Sequence, residues 1–172
     1  LSAHINNEAV CLTVEKALGI EVSDRVKVIR TILSELTRIQ SHQLFWATFG
    51  MDLGGLTCFF YGLRDREMIL DIFEETCGGR MIVSYNCPGG LMNDIHPNFQ
   101  KRTKEFIKYF RKTLPEYDRL LTGNVIFQER LRNIGTVTRE QAIAWGLSGP
   151  VGRASGLSCD IRKHNPYSAY DR

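Results

Sequence analysis

Several features that mark particular classes of protein are missing from this sequence of 172 residues. None of its five cysteines forms a CxxC pair, so the spacing of a local metal site is absent and no metal ligand is predicted. No apolar run is long enough to span a bilayer, because Asp52 and two glycines interrupt the stretch 45–60. Neither a signal peptide nor a repeat is visible, and widely spaced thiols favour reduced cysteines in a cytosolic compartment.

The sequence also has no strong excess of charge of either sign. A formal net charge of +3 is weak evidence for a polyanionic partner, and no nucleic-acid partner is predicted. Hydrophobic content of 43% and charged content of 24% are ordinary for a soluble globular domain with a real core. Because the chain begins inside a helical pattern and stops without a tail, we expect it to be part of a longer polypeptide.

The dominant pattern is one long helix, predicted to run from Asp24 to Met51 over about 42 Å. Its first half is amphipathic, and Ser23 is a favourable N-cap. Its second half, from Leu44, is apolar on nearly every face and is expected to be buried all round. Leu33, Leu36, Ile39 and Phe45 are predicted to be among the most buried residues of the chain.

Asp52 is anomalous because it follows this apolar run at a helix C-terminus, where the dipole disfavours negative charge. Two interpretations remain open from the residues alone. The carboxylate either caps the next helix or pairs with an arginine such as Arg66, or it is tuned for proton chemistry.

The rest of the pattern predicts a mainly α fold, a multi-helix bundle around the long helix with little β-structure. Further helices are predicted over 2–18, 57–77 and from 98 to about 121, where Pro115 is expected to kink or split the last of them. Residues 80–85 are β-like, and Thr138 with Gln141 forms a capping box. We therefore divide the chain into a helical core, 1–146, and a glycine-rich loop segment, 147–172.

A charged cluster, 64–67, stands between two apolar stretches of the third predicted helix. It is either a solvated face with pairs three and four residues apart, or a buried ion-pair network that holds the helix against a neighbour. In the first helix, Ile5, Ala9, Leu12, Val14 and Leu18 form the expected inward stripe, and the polar residues 6–8 are expected to be exposed.

Blocks of residues spread over the whole chain together match one known family. They are Asn7, 14–16, Arg25, 29–30, 35–38, His42, 52–57, 59–60, 64–67, 79–81, 88–90, 152–156, 160–163 and 166–167. In these blocks the sequence closely resembles the D subunit of respiratory complex I, the proton-pumping NADH:quinone oxidoreductase. The resemblance implies a helical fold like that of the large subunit of nickel–iron hydrogenases, of which this chain would be the central part.

The resemblance also implies roles for individual residues. Asp52 matches the family's catalytic-site aspartate, which partners a quinone-binding histidine; that histidine and a tyrosine precede Leu1 in the family. Leu44, Thr48 and Phe60 match positions that line the quinone cavity. Arg80 matches a position near the iron–sulfur cluster of a partner subunit, whereas Ile82 stands where many relatives have a cluster-linked histidine.

On this resemblance, quinone is the substrate, no cluster is bound by this chain, and electrons arrive from the cluster of the B subunit. The C subunit and the membrane-embedded H subunit are further expected partners. The expected location is the cytoplasmic face of the bacterial inner membrane, reached through the complex, and the isolated chain is expected to be inactive. Two alternatives are a membrane-bound nickel–iron hydrogenase large subunit, which would need CxxC pairs outside these residues, and a purely structural scaffold.

Overall fold

A computed structural model describes residues 2–172, which form two compact units, the first ending at Asn124 and the second being Val125–Arg172. The prediction of a mainly α protein is confirmed, since 67% of the chain is helical. The first unit contains α1 (Ala3–Leu18), α2 (Asp24–Asp52), α3 (Leu56–Cys77), β1 (Asn86–Cys87), β2 (Gly90–Leu91) and α4 (Phe99–Tyr117). The second unit contains α5 (Val125–Leu131), α6 (Arg139–Ala144), α7 (Gly149–Ala154) and α8 (Ile161–His164).

The long helix α2 is the longest element, as its pattern predicts, and packs against both α1 and α3. Leu33 and Leu36 are buried in the main core, with 0% and 3% of their surfaces exposed. Ile39 is only half-buried and Phe45 is 63% exposed, so the prediction of burial is wrong for Phe45. The reason is that α1 and α3 cover only part of the circumference of α2, which leaves one face of its apolar second half unpartnered.

Helices α2 and α3 form an antiparallel hairpin in which small residues bring the two backbones close together. A Cβ atom added at Gly62 would lie 2.7 Å from the Cβ of Ala47, and one at Gly50 would lie 2.7 Å from the Cβ of Cys58. The connection is short because Gly54 adopts a φ of 90° and the Gly55 N–H donates to the Gly50 carbonyl at 2.7 Å. This tight turn holds Asp52 at the surface end of the hairpin.

Helix α1 presents a polar stripe, not an apolar one, to the rest of the unit. Its buried residues are His4, Glu8, Cys11 and Glu15, whereas Ala9 and Leu18 are exposed. The expected inward stripe is therefore wrong for Ala9 and Leu18, while its other three residues are half-buried, and the expected exposure is wrong for Glu8. Glu8 is buried because it accepts a short hydrogen bond from the Ser34 hydroxyl of α2, which satisfies the carboxylate inside the protein.

A buried ion pair ties α1, α2 and the β-hairpin together. Arg30 donates to both carboxylate oxygens of Glu15, at 3.0 and 2.8 Å, and to the carbonyls of Cys87 and Gly90, both at 2.9 Å. The Gly89 N–H in turn donates to Glu15 at 2.8 Å. These contacts make the segment around Pro88 an ordered two-stranded turn.

The β-like stretch 80–85 is not a strand; the strands are the two-residue pieces on either side of Pro88 and Gly89. A strand at 80–85 would need a neighbour, and among residues 2–172 the only sheet has two strands, β1 and β2. Pro115 lies inside α4, which gives way to a π-helical segment, Asp118–Thr122. The helix continues to Tyr117, two residues past the proline, so it is not split at Pro115 itself.

The second unit is built from short helices with well-defined ends. The capping box at the start of α6 is confirmed, since the Thr138 hydroxyl accepts from Gln141 N–H at 3.2 Å and the Gln141 side chain accepts from Thr138 N–H at 3.0 Å. The segment 147–172 contains α7 and α8, so it is not wholly loop. Contacts divide the chain after Asn124, and the boundary predicted at 146/147 falls within the second unit.

Candidate functional site

The residues predicted to line a quinone cavity lie mostly on one stripe of α2. Leu44, Thr48 and Asp52 are spaced four residues apart, so they follow the same face of the helix over about 12 Å. Leu44 and Thr48 are half-buried, and the Thr48 hydroxyl donates back to the Leu44 carbonyl at 2.9 Å. The stripe therefore combines an apolar side chain, a hydroxyl and a carboxylate on one accessible face.

Asp52 is the last residue of α2 and its side chain is exposed. Within the described part of the chain, no side-chain hydrogen bond or ion pair joins its carboxylate to another residue. The proposed pairing with Arg66 is therefore wrong for these residues, and Asp52 is not the N-cap of α3, which is Gly55. A carboxylate at the negative end of a helix, left accessible and unpaired, is available to a group from outside this chain.

Phe60 is the predicted lining residue that the structure leaves apart from the stripe. It is 61% exposed on α3, where it contacts Phe59 with ring centroids 5.9 Å apart. Phe60 and Gly62 are about 200° apart around α3, and Gly62 is the residue that faces α2. The chain alone therefore does not gather Phe60 into one pocket with Leu44, Thr48 and Asp52.

Arg80, the residue predicted to lie near a partner's cluster, is bound by three carboxylates of α3. It donates to Asp71 at 2.9 Å and to Glu74 at 2.7 Å, and it makes a short contact with Glu67. The hydrogen bonds to Glu74 and Asp71 raise the pKa of the Arg80 guanidinium. Close by, Ile82, which the resemblance sets at the position of a cluster-linked histidine, is 97% exposed.

The charged cluster at 64–67 is only partly a buried network: its two middle residues are buried and its two outer residues are exposed, so each of the two interpretations holds for part of it. Asp65 is fully buried and accepts from Arg64 Nε at 2.7 Å, from the Tyr109 hydroxyl at 2.8 Å and from the Tyr117 hydroxyl at 3.0 Å. Arg64 reaches on to Glu116 at 3.1 Å. The network holds α3 against α4 and its π-helical end.

His4 is a buried titratable group that sequence reasoning missed. It is 0% exposed, packs edge-on against Phe73 with ring centroids 4.6 Å apart, and lies 3.9 Å from the Cys77 sulfur. Burial lowers the pKa of His4 to about 4 and raises the pKa of the Cys77 thiol to about 12. Both shifts favour the neutral form of the side chain, because burial penalises its charged form.

The buried polar residues of α1 were detectable in principle. His4, Glu8, Cys11 and Glu15 recur at intervals of four, three and four residues, which is the spacing of one helical face. A search limited to apolar residues overlooks such a stripe. Its partners, Ser34 and Arg30, are set only by the packing of α1 on α2.

The glycine-rich segment, 147–172, was expected to let its backbone approach another group closely. The group that it approaches belongs to the same segment. A Cβ atom at Gly152 would lie 2.9 Å from the Leu147 carbonyl oxygen, and Gly149 has a φ of 62°. Arg162 is held by Asp160 at 2.8 Å, and this contact lowers the pKa of the Asp160 carboxyl. Over residues 2–172, no helix is both long and apolar enough to cross a membrane.

Comparison with known proteins supplies the family. Residues 52–172 match the family described as "Respiratory-chain NADH dehydrogenase, 49 Kd subunit". The chain is 59% identical over its full length to the C/D subunit of an NADH-quinone oxidoreductase of Bacteroides thetaiotaomicron, of which it covers 32%. It is 46% identical, over 99% of its length, to a D subunit of an NADH-quinone oxidoreductase of Streptomyces avermitilis, of which it covers 39%.

The corresponding D subunit of Magnetococcus marinus is 43% identical over the full chain, which covers 43% of that relative. The 172 residues thus span about a third to two fifths of the curated relatives they match. The family match covers well over half of the chain and begins at Asp52 itself. This chain belongs to the family of the 49 kDa subunit of respiratory-chain NADH dehydrogenase, whose members include the D subunits of NADH-quinone oxidoreductases.

Proposed function

We propose that this chain forms one wall of the quinone-reduction site of a proton-translocating NADH:quinone oxidoreductase. Electrons come from the iron–sulfur cluster of a neighbouring subunit, and quinone takes up two electrons and two protons to become quinol. The chain's own part is to shape the cavity with Leu44, Thr48 and Phe60. With Asp52 it also sets the protonation of the histidine that holds the headgroup.

The observation that carries this proposal is the state of Asp52. Its carboxylate is exposed at the end of the stripe with Leu44 and Thr48, and no described residue pairs with it. An anionic partner stabilises an imidazolium and orients its ring, which favours proton delivery to the reduced headgroup. Asp52 acts through the histidine, so it is a positioning residue and not a group that touches the quinone.

The exposed aromatic side chains near the bend between α2 and α3 support the same proposal. Phe45 and Phe60 are 63% and 61% exposed, and Leu56 is 54% exposed. Where such side chains form one contiguous apolar patch, the patch marks a ligand or protein contact. In the longer protein it would provide the apolar wall along which a lipid-soluble quinone enters.

Replacing Asp52 tests this function directly. Asp52→Asn keeps the shape of the side chain but removes its charge, so the histidine loses its anionic partner. In membranes that contain the full complex, we expect quinone reduction to fall by roughly 10- to 100-fold, near the lower range for loss of an acid–base contribution. Electron transfer from NADH to an artificial acceptor that bypasses quinone should stay near the wild-type rate.

A matched control is Asp24→Asn, which removes the same charge from the first turn of the same helix. Both rates should remain close to wild type in this variant. An unchanged quinone rate in Asp52→Asn would reduce Asp52 to a structural role and refute the proposed function. A matched control that loses quinone reduction as strongly as Asp52→Asn would refute it too.

The glycine-rich segment, 147–172, is proposed to face the cluster-bearing B subunit, with the C and H subunits as further neighbours and the assembly on the cytoplasmic face of the inner membrane. This segment exposes Val151 and Ile161, at 58% and 61%. A photo-reactive residue in place of Val151, in the intact complex, is expected to cross-link to the B subunit. Cross-links confined to other proteins would remove this part of the proposal.

A further inference from the structure

Helix α4, Phe99–Tyr117, carries a row of cations on its solvent-facing side. At 100° per residue, five basic residues fall within about 100° of the helix circumference and extend over about 16 Å of its axis. All five side chains are exposed, and we call the set the basic stripe: Lys101, Lys104, Lys108, Arg111 and Lys112.

The basic stripe is a local concentration of charge that the composition of its unit does not require. The first unit contains 15 basic and 15 acidic residues, so their formal charges cancel, yet five of its cations lie on this one face. Other cations of the unit find carboxylates within it, as Arg25, Arg30 and Arg80 do. No member of the basic stripe makes an ion pair or a side-chain hydrogen bond with another residue of 2–172.

This arrangement is unfavourable for the helix by itself. Like charges three or four residues apart on a helix repel one another, and Lys108 stands at this distance from both Lys104 and Lys112. Glu105 lies at the edge of the basic stripe, but within the described residues it forms an ion pair with none of the five cations. An anionic group from outside this chain would relieve the repulsion.

The surroundings of the basic stripe favour a protein surface over a lipid surface as that group. A helix that binds a membrane interface inserts its apolar face among the lipids. In α4 this face is turned into the core, where Phe99 and Phe106 are 3% and 0% exposed. Beside the basic stripe, Ile107 and Leu114 form a short apolar ridge, 40% and 52% exposed. Apolar contact flanked by charged groups is the usual anatomy of a protein–protein interface.

We propose that the basic stripe is the docking face for an acidic surface of another subunit of the assembled enzyme. Successive cations are about 4.5–6 Å apart along the axis of α4, and carboxylates three or four residues apart on a partner helix repeat at the same interval. The carboxylates pair with the cations, and an apolar side chain of the partner covers Ile107 and Leu114. That the partner is a subunit rests on the proposed function, but the docking face does not depend on the role of Asp52.

Zero-length cross-linking tests the proposal in the intact, membrane-bound complex that contains the full-length polypeptide. A carbodiimide joins a lysine amine to a carboxylate only where the two are already in contact, and mass spectrometry of the peptides identifies both residues. The reference is Lys16, an exposed lysine of α1 that has no ion pair in the described chain.

We expect Lys104, Lys108 and Lys112 to be joined to aspartates or glutamates of one other subunit, several-fold more often than Lys16. Links only to carboxylates of the same polypeptide would overturn the proposal. So would a yield no higher than that of Lys16, which is the result for a solvated face or for a face that lies on lipid. The cross-links form without quinone turnover, so this result is independent of the rates measured for Asp52→Asn.

Charge reversal supplies a second measurement. In the double variant Lys104→Glu with Lys108→Glu, the new carboxylates lie three and four residues from Lys101 and Lys112, so α4 should be at least as stable as before. Retention of the cross-linked subunit during purification of the complex should fall several-fold. The control Lys16→Glu makes the same kind of change on α1 and should retain that subunit as the wild type does. Equal retention in the double variant and the control would overturn the proposal.

Discussion

At the scale of single residues, burial decides which titratable groups do chemistry and which only pack. His4 and Asp52 show the contrast: one is sealed among Phe73, Tyr85 and Cys77, and the other is open at a helix end. A sequence pattern singles out Asp52 because its charge conflicts with its place in the helix. The pattern does not single out His4, because a histidine at this position of α1 conflicts neither with the helix dipole nor with the residues next to it.

The burial of His4 makes stability depend on pH. In the unfolded chain His4 binds a proton below about pH 6.5, whereas in the folded chain it stays neutral down to a pKa of about 4. Stability is therefore complete above pH 6.5 and declines as the pH falls toward 4, by up to about 3 kcal/mol in total. Urea unfolding of the chain across this range should show the decline.

The variant His4→Phe should remove most of this slope between pH 6.5 and 4, because an aromatic ring without a titrating nitrogen takes its place. The control is His42→Gln, which changes an exposed histidine on α2 and leaves the buried ring of His4 in place. An equal slope in His4→Phe and the wild type would show that His4 is not the group responsible.

At the scale of the helices, one ion pair sets how α1, α2 and the β-hairpin meet. Burial alone would raise the pKa of Glu15, but the hydrogen bonds from Arg30 and from the Gly89 N–H outweigh it and lower this pKa. The pair is therefore ionised at neutral pH, and its stabilising contribution is lost only as the pH falls below the usual pKa of a glutamate. Both partners are buried, and although the Nε of Arg30 has no partner among residues 2–172, removing either partner would leave the other charge buried and uncompensated.

Breaking this pair should be costly. Arg30→Met removes the bonds to Glu15, Cys87 and Gly90 and leaves a buried carboxylate unpaired, at a cost of about 3–5 kcal/mol. The control is Arg25→Met on the same helix, whose pair with Asp94 is exposed on both sides, at 64% and 69%. The urea midpoint of unfolding should fall strongly for Arg30→Met and change little for Arg25→Met. Equal shifts would mean that the buried pair contributes no more to stability than the exposed one.

Local rules worked well for the ends of the elements. Gly19 and Gly78 end α1 and α3 in the left-handed conformation, and the Thr138–Gln141 box opens α6. The same rules failed at 80–85, because a β-like composition forms a strand only when a neighbouring strand is available. Helix ends depend on nearest neighbours in the sequence, whereas strands depend on partners elsewhere.

At the scale of the whole molecule, the core belongs to one unit. Its buried cluster, which includes Leu33, Ile69, Phe73 and Phe106, lies entirely before residue 125. In the second unit, the buried residues are only Ala142 and Gly152. Small chains with so little buried apolar surface rarely fold without help.

This asymmetry predicts the outcome of truncation. A chain that ends at Asn124 should still unfold cooperatively, with a thermal midpoint within a few degrees of the full 172 residues. Residues 125–172 alone should show no cooperative transition, because their helices are short and nearly coreless. Circular dichroism during heating distinguishes the cases, and a cooperative second unit would contradict the prediction.

The sequence by itself determined the helical class, the span of α2, most helix ends and the family, because each of these depends on short-range patterns or on residue identity along the chain. It also identified Asp52, through a local conflict between charge and helix dipole. Only the tertiary structure decided that Phe45 is exposed, that Glu15 meets Arg30 and that Phe60 stands apart from the Asp52 stripe. These facts depend on which faces of α2 are covered by elements distant in sequence. Helical periodicity shows which residues share a face of a helix, but it does not show which neighbour covers that face.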